Sequence, residues 1–413
     1  MNSRKQKSAQ VKSHSAQLSQ ALAKYLHLDD PWVVDVALAT VVANLMGEEP
    51  LWLLLVNPPS TGKTELVQMF KKVKTCDWLA EVTENSFLSG RKGDSADKGD
   101  MSDRQNSLLY RWTDPNLRGK QPLVRVMLIQ DLTGLIIADR KKRDAVFGQL
   151  RQIYDGRLVK STGMGDDLLW EGYLGLFGAV TPAIDDVAEL NSILGERFVL
   201  YRPLRKDVEA EATKALGRKE AHWRDRIAVK VRQAIDQAEQ GLSQVKIPGQ
   251  FNQRLLALAQ FTAKGRTAVP RSGYNKDITS LPAPEGPGRL IRQFLKFLQG
   301  LCAVRACIRP TEGELQVLAK VARDSIPAIR LPLIEALYLE PQSKDPLSHS
   351  TGIPQSTLFY RLEDLKVLGI AREANKRWSL TDEFQNICET GRLFSKPHTP
   401  ERIDGTGPED QAA

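Results

Sequence analysis

Hydrophobic positions follow two kinds of pattern along the chain. In SQALAKYLHL and DPWVVDVALATVVANLM they recur at helical spacing, which predicts two helices, the second with Asp30 as N-cap and Pro31 at its first helical position. LWLLLV (51–56) is instead a short, unbroken apolar run closed by Pro and Gly, the pattern of a strand buried on both faces of a parallel sheet. LVRVMLIQD (123–131) and YLGLFGAVT (173–181) repeat it, RFVLYRP (197–203) adds a fourth run, and EVTENS reads as the end of another strand. Helical stretches separate these runs, so the chain is expected to form βαβ units around a parallel sheet, an α/β fold.

Beyond residue 204 the pattern changes. LRKDVEAEATKALGRKEAHWRDRIAVKVRQAIDQAEQ carries mixed charge on most faces and is expected to form solvent-exposed helices. A Pro/Gly-rich connection (265–288) leads into two amphipathic helices, RLIRQFLKFLQGLCAVRACI and TEGELQVLAKVARDSI, which complete a small helical domain. Pro327 and Pro332 punctuate the change to a last module, and KPHTPERIDGTGPEDQAA has the composition of a disordered tail. The expected organisation is a basic disordered tail (1–20), an α/β core (21–204), a helical lid (205–327), a C-terminal module (328–395) and a disordered end (396–413).

Composition adjusts this picture only modestly. At 413 residues, 41% hydrophobic and 26% charged, the chain suits two or three globular domains. No run reaches the roughly 18 apolar residues that would span a bilayer, and no apolar segment follows the basic N-terminal stretch, so a cytoplasmic protein without a membrane partner is expected. The four cysteines (Cys76, Cys302, Cys307 and Cys388) form no CxxC pair and read as ordinary thiols. Net charge is +8, and no acid precedes Asp29, so the N-terminal stretch could sit on phosphates.

The strongest chemical signal is NPPSTGKT (57–64), which departs from the phosphate-loop pattern GxxxxGK[ST] only at its first residue. Asn57 stands where glycine is used for a left-handed backbone, a conformation Asn visits more readily than other non-glycine residues. Backbone N–H groups from Ser60, Thr61, Gly62, Lys63 and Thr64 would wrap a β-phosphate at a helix N-terminus. Lys63 would reach the β- and γ-phosphates, and the Thr64 hydroxyl would bind Mg²⁺. ATP and Mg²⁺ are therefore the expected cofactors. The run ending in Asp131 supplies a carboxylate for the metal. Leu132 and Thr133 follow it, so the base that polarises water is unassigned among Glu84, Asn85, Gln130 and Asp155. Asp94, Asp97, Asp100 and Asp103 recur every three residues but lack the DxDxDG calcium pattern, and the surrounding Gly, Ser and Lys read as a surface loop.

This order of features resembles an AAA+ ATPase, and within that group the minichromosome-maintenance-like and mobile-element helicases. GAVTPAID ends a strand at Thr181, similar to the sensor-1 position. LNSILGERFVLYRP resembles the segment carrying an arginine finger, which implies that role for Arg197. PGRLIRQFLKFLQG resembles the lid, whose sensor-2 arginine matches Arg289 first and Arg292 second. RLVKST and LLWEGYLG, around the turn GMGDD, look like the hairpin that related helicases point into a central channel, with Lys160 on the DNA backbone. The resemblance covers roughly residues 30 to 327 and implies a homo-hexamer.

The segment 331–382 resembles a winged helix-turn-helix. LSHSTGI forms a short helix ending at Gly352. Pro354 opens the next helix, with Leu358, Leu362 and Leu365 on its inner face, and IAREANKRWSLTD forms a wing turning at Asn375 and Lys376. In that fold the second helix enters the major groove and the wing touches phosphates. Gln355, Ser356, Thr357, Tyr360, Arg361, Lys376 and Arg377 are the expected DNA contacts, and Trp378 a core anchor. The sequence thus points to an ATP-dependent DNA helicase or translocase in replication of a phage, plasmid or mobile element, with replication proteins as possible partners. The alternative is an ATP-gated initiator, loader or regulator without motor activity. A small-molecule kinase using the same loop is disfavoured by the C-terminal module.

Overall fold

A computed structural model describes residues 13–80, 82–83, 86–87, 108–113, 124–161, 167–185, 197–216 and 222–395. Glu84, Asn85, the 90–107 aspartates, the hairpin turn at 163–166 and the end 396–413 lie outside the described residues.

Two helices come first, α1 (His14–Leu22) and α2 (Val33–Leu45). Part of the expected tail is therefore helical, because Leu18 and Leu22 bury completely in the main core. Helix α2 starts two residues later than its Asp-Pro signal predicts, with Trp32 as N-cap. The Asp30 carboxylate accepts from the Trp32 N–H at 2.9 Å but also from the Tyr201 hydroxyl and the Leu204 N–H, both at 2.8 Å. That buried carboxylate ties the start of α2 to the chain leaving the last strand of the sheet.

Strands β1 (Trp52–Val56), β2 (Cys76–Leu79), β3 (Val126–Ile129), β6 (Gly175–Val180) and β7 (Phe198–Tyr201) form one sheet in the order β2-β3-β6-β1-β7, every adjacent pair parallel. Four of the five coincide with the apolar runs. The second strand is CDWL rather than the EVTENS segment after it. Along β1 the pleat sends Leu53 and Leu55 into one apolar cluster and Trp52, Leu54 and Val56 into the other, so both faces are covered. Strands β4 (Arg157–Ser161) and β5 (Asp167–Glu171) form a separate antiparallel hairpin between β3 and β6.

Short helices α3 (Lys63–Gln68), α4 (Leu108–Thr113) and α5 (Thr133–Ile136), with the longer α6 (Arg140–Tyr154), complete the α/β part. Helix α7 (Val208–Leu216) has no buried residue, but α8 (Trp223–Leu242) does not match its expected exposure. Ile227, Val231, Ala234 and Ala238 fall in one stripe, and the charges that dominate its composition occupy the rest of the surface. Helices α9 (Asn252–Arg266), α10 (Gly288–Val304) and α11 (Glu312–Asp324) join α8 in the same continuous core as the sheet. Helix α10 crosses α2 at Gly300, where a Cβ would come within 2.5 Å of the Ala39 carbonyl; only glycine permits that approach.

The C-terminal part comprises α12 (Leu331–Leu339), α13 (Lys344–Thr351), α14 (Gln355–Val367), the antiparallel pair β8 (Ala371–Ala374) and β9 (Arg377–Leu380), and α15 (Asp382–Gly391). Gly352, at φ 68°, ends α13, and Asn375 and Lys376, at φ 52° and 63°, make the two-residue turn whose twist suits a hairpin. Among the described residues no helix is long and apolar enough to cross a membrane.

Candidate functional site

The segment after β1 remains in the sheet for one more residue, with the Asn57 N–H donating to the Val180 carbonyl at 3.2 Å. This ladder bond keeps Asn57 out of the left-handed region, contrary to the expectation for that position. The loop turns through Ser60 (φ 62°) and Gly62 (φ 77°) instead. Gly62 caps α3, whose first residue is Lys63. Its side chain lies back over the loop, and Nζ donates to the Asn57 and Pro58 carbonyls at 2.5 and 2.6 Å. Burial holds the Lys63 ammonium below its ordinary pKa, while the Asp131 charge opposes that shift. Thr64 is half-buried on the first turn of α3.

Asp131 follows β3, and Thr181 follows β6, the strand between β3 and β1. Strand spacing of about 4.8 Å therefore sets Thr181 between the loop and the Asp131 carboxylate. Asp131 is exposed and accepts from the Thr133 N–H at 2.8 Å. The Thr133 hydroxyl donates to Thr181 Oγ1 at 3.2 Å and accepts from the Thr181 N–H at 2.9 Å. Asp131 and Thr181 are thus fixed relative to each other through Thr133. A buried ammonium, a threonine hydroxyl, loop amides and an exposed carboxylate form a donor set suited to a triphosphate and its magnesium ion. Thr64 and Asp131 are the residues that would hold magnesium.

Beside the loop lies a cavity of about 330 Å³ lined by Leu26, His27, Leu28, Ser60, Thr61, Gly62, Arg205, Val208, Glu211, Ala212 and Ala215. Its wall is pinned by Asp29, which accepts from the Lys206 and Asp207 N–H groups at 2.7 and 3.1 Å and from His27 at 3.0 Å. The two backbone donors hold the Asp29 carboxyl below its usual pKa.

Arg197 and Arg289 lie elsewhere. Arg197 immediately precedes β7, whose Phe198 pairs in register with Trp52 at the start of β1. The five residues of β1, at about 3.3 Å each, separate that edge from the 57–64 loop. There Arg197 is 8% exposed, bonded to Asp155 at 2.6 and 2.9 Å and stacked 5.4 Å from the Tyr154 ring. Arg289 approaches the same ring at 5.8 Å and Glu285 at 4.0 Å. Gln293 bonds both the Tyr154 hydroxyl and the Arg197 carbonyl, at 3.0 and 2.7 Å. Asp155, considered as a water-polarising base, therefore belongs to this arginine edge. Gln130 remains beside Asp131. Exposed Arg292 pairs with half-buried Glu49.

No protein-family model matches the chain, and no curated protein matches it either. Assignment therefore rests on geometry.

In the C-terminal part Leu358, Leu362 and Leu365 are fully buried, and Trp378 is buried at 3% exposure. Gln355, Ser356, Lys376 and Arg377 are exposed, and Thr357 is half-buried. Gln355 bonds Asp345 at 2.6 Å, and Arg377 bonds the Pro341 carbonyl at 2.7 Å. Tyr360 and Arg361 differ from expectation. The Tyr360 carbonyl accepts from Arg271 and its ring lies 5.2 Å under that guanidinium, while Arg361 bonds the buried Asp364 at 2.8 Å. Arg271, in the connection between α9 and α10, thus holds Tyr360, whereas Arg361 is held by its own helix; both are half-buried. Phe359, 45% exposed on α14, stands there instead. Lys160 lies in β4, paired in register with Leu168.

Residue patterns did not single out Thr133, Arg205, Glu211 or Tyr154. For Thr133 a signal existed: a threonine two residues after a strand-end aspartate is the pattern of an Asx turn. The others carry no local signature.

Proposed function

We propose that the protein is an AAA+-type ATPase that binds ATP and magnesium at the 57–64 loop and works as a ring on DNA, as a helicase or translocase. One observation carries the reading. Asp131, Thr181 and Lys63 all lie at the C-terminal end of the sheet, with Asp131 near enough to act on the Lys63 charge, whereas Arg197 and Arg289 share the Tyr154 ring at the opposite end. An arginine there cannot reach the γ-phosphate of its own chain, but it can face the loop of a neighbour. Lys63 would leave the Asn57 and Pro58 carbonyls to bind phosphate oxygens. Thr133 would hold Thr181 in position to orient water. Bound ATP and magnesium would supply the scissile phosphoanhydride and the positive charge between its β- and γ-oxygens. Arg197, released from Asp155 on subunit contact, would stabilise charge on the transferring group of the adjacent site.

Coupling to DNA is supported by the helix–turn–helix and hairpin at 344–380, read as a winged helix with Gln355, Ser356, Lys376 and Arg377 outward, and by the net charge of +8. The second reading, an ATP-gated loader, initiator or regulator, is favoured by one feature: Leu132, not an acid, follows Asp131, which suits slow hydrolysis. ATP hydrolysis with and without single-stranded DNA, measured beside strand displacement and a Lys63→Ala control, separates the two. Stimulated hydrolysis with displacement supports the motor. Stimulation without displacement supports the switch, and no hydrolysis removes the motor.

A further inference from the structure

The C-terminal end of α10 is closed by two cysteines. Arg305 caps the helix and Ala306 follows at φ 54°. The Cys307 N–H donates to the Cys302 carbonyl at 2.9 Å, and the Ala306 N–H to the Ala303 carbonyl at 3.1 Å. Those two bonds define a Schellman turn, which folds the side chain just beyond the cap back onto the helix residue five positions earlier. Here both side chains are thiols. Cys307 Sγ lies 3.5 Å from the Cys302 carbonyl oxygen, and the Cys302 thiol donates a hydrogen bond to Cys307. Cys302 is fully buried, whereas Cys307 is half-buried between exposed Ala306 and Ile308. The shared bond holds Cys307 below its ordinary pKa, with Arg305 assisting and burial and Glu314 opposing, and holds Cys302 above its own. Cys76 and Cys388 are buried, and burial pushes the Cys76 thiol up to about 12.

We propose that Cys302 and Cys307 are a redox-active dithiol that exchanges with small-molecule disulfides, Cys307 being the attacking thiol and Cys302 the resolving one. The Cys307 thiolate attacks one sulfur of the small disulfide. That S–S bond breaks, and the departing thiolate takes up the equivalent of the proton Cys307 released. The Cys302 sulfur, already against Cys307, then attacks the mixed disulfide, loses its proton and expels the second small thiol, which gains that proton. The protein dithiol is oxidised to one disulfide and the small disulfide is reduced to two thiols. Cys302 needs no access from solvent, because the sulfur it attacks is its neighbour. The ring so closed encloses Arg305, which bonds Asp35 of α2 at 2.8 Å and Glu314 of α11 at 2.9 Å, so oxidation acts at the joint of three helices. None of this depends on the nucleotide reading of the 57–64 loop.

The test is incubation of the folded full chain with oxidised glutathione, followed by acid quenching, unfolding, alkylation of free thiols and mass measurement. Free thiols should fall from four to two. Tryptic peptides carrying Cys302 and Cys307, parted by cleavage after Arg305, should stay joined until reduced. Cys302→Ser should stop at a glutathione adduct on Cys307, and Cys307→Ser should leave Cys302 unreactive. A wild-type chain that keeps four free thiols in oxidised glutathione overturns the proposal. So does a 302–307 linkage that forms no faster in the folded chain than in the denatured one. Both of those readings use the wild type, so they hold even where a variant does not fold.

Discussion

The guanidinium of Arg197 meets the carboxylate of Asp155 at 2.6 Å, one strand-length away from Lys63 in the same chain. Asp155 is half-exposed while Arg197 is almost covered, so the pair sits at a surface from which the arginine can be drawn. If Arg197 serves a neighbour, Arg197→Ala and Lys63→Ala should each abolish hydrolysis and yet restore some of it when mixed. In a random equal mixture about a quarter of contacts join an intact loop to an intact arginine. Hydrolysis rates of the mixed and separate variants check this. No recovery on mixing, with assembly intact, would mean that Arg197 works only within its own chain or only structurally.

Thr133 gives a separate prediction. Its hydroxyl fixes Thr181, but Thr133 lies outside the set proposed to grip phosphate. Thr133→Val keeps shape and removes both bonds, so hydrolysis should fall about ten- to a hundredfold through misplacement of Thr181. Affinity for Mg·ATP should stay nearly constant. Paired measurements of turnover and affinity test this split, and equal loss in both would place Thr133 in binding.

Arg202 joins three elements. It bonds Asp185 through two nitrogens at 2.8 Å, and its N–H and Nε reach Asp324 at 2.8 and 3.0 Å. Burial holds Asp324 above its usual pKa, with the Lys320 charge opposing. Arg202→Ala keeps the backbone bond to the Asp324 carboxylate but strips both bonds from the mostly buried Asp185 carboxylate and one from the Asp324 carbonyl, and should destabilise the fold by about 3 kcal/mol. Denaturant unfolding is the check; a loss near zero would show that water replaces the guanidinium.

Lys296 provides a pH dependence. Burial pushes its ammonium down to about 8, against the opposing charges of Glu48 and Glu49, while Nζ donates to the Gly47 and Glu49 carbonyls. In the unfolded chain a lysine titrates at about 10.4. The unfolded state therefore binds more protons between those values, and stability from this group rises with pH across that window. Below about 8 both states are charged and the burial cost is constant. Unfolding midpoints measured from pH 7 to 10 should rise less in Lys296→Met than in the wild type, and parallel curves would contradict the assignment.

Much of the sheet was legible because parallel strands buried on both faces must be apolar throughout, as WLLLV and GLFGAV are. CDWL escaped because its middle positions are only half-buried. Helix α8 was misjudged since charge content conceals a narrow apolar stripe. The loop, Asp131 and Thr181 carry local patterns, so their convergence could be anticipated. The meeting of Arg197 with Arg289 could not, because it depends on strand register and on the packing of α10 against α2. Tyr360 looks like an outward helix position until Arg271, far away in sequence, is seen to stack on its ring, and Arg361 until it is seen to pair with the buried Asp364 of its own helix.

The most direct test of the account is calorimetric titration of Mg·ATP into the wild type, Lys63→Ala and Asp131→Asn. The account predicts saturable binding by the wild type, loss of binding with Lys63→Ala, and Asp131→Asn binding that no longer gains from magnesium. Wild-type affinity in the Lys63→Ala protein would contradict it.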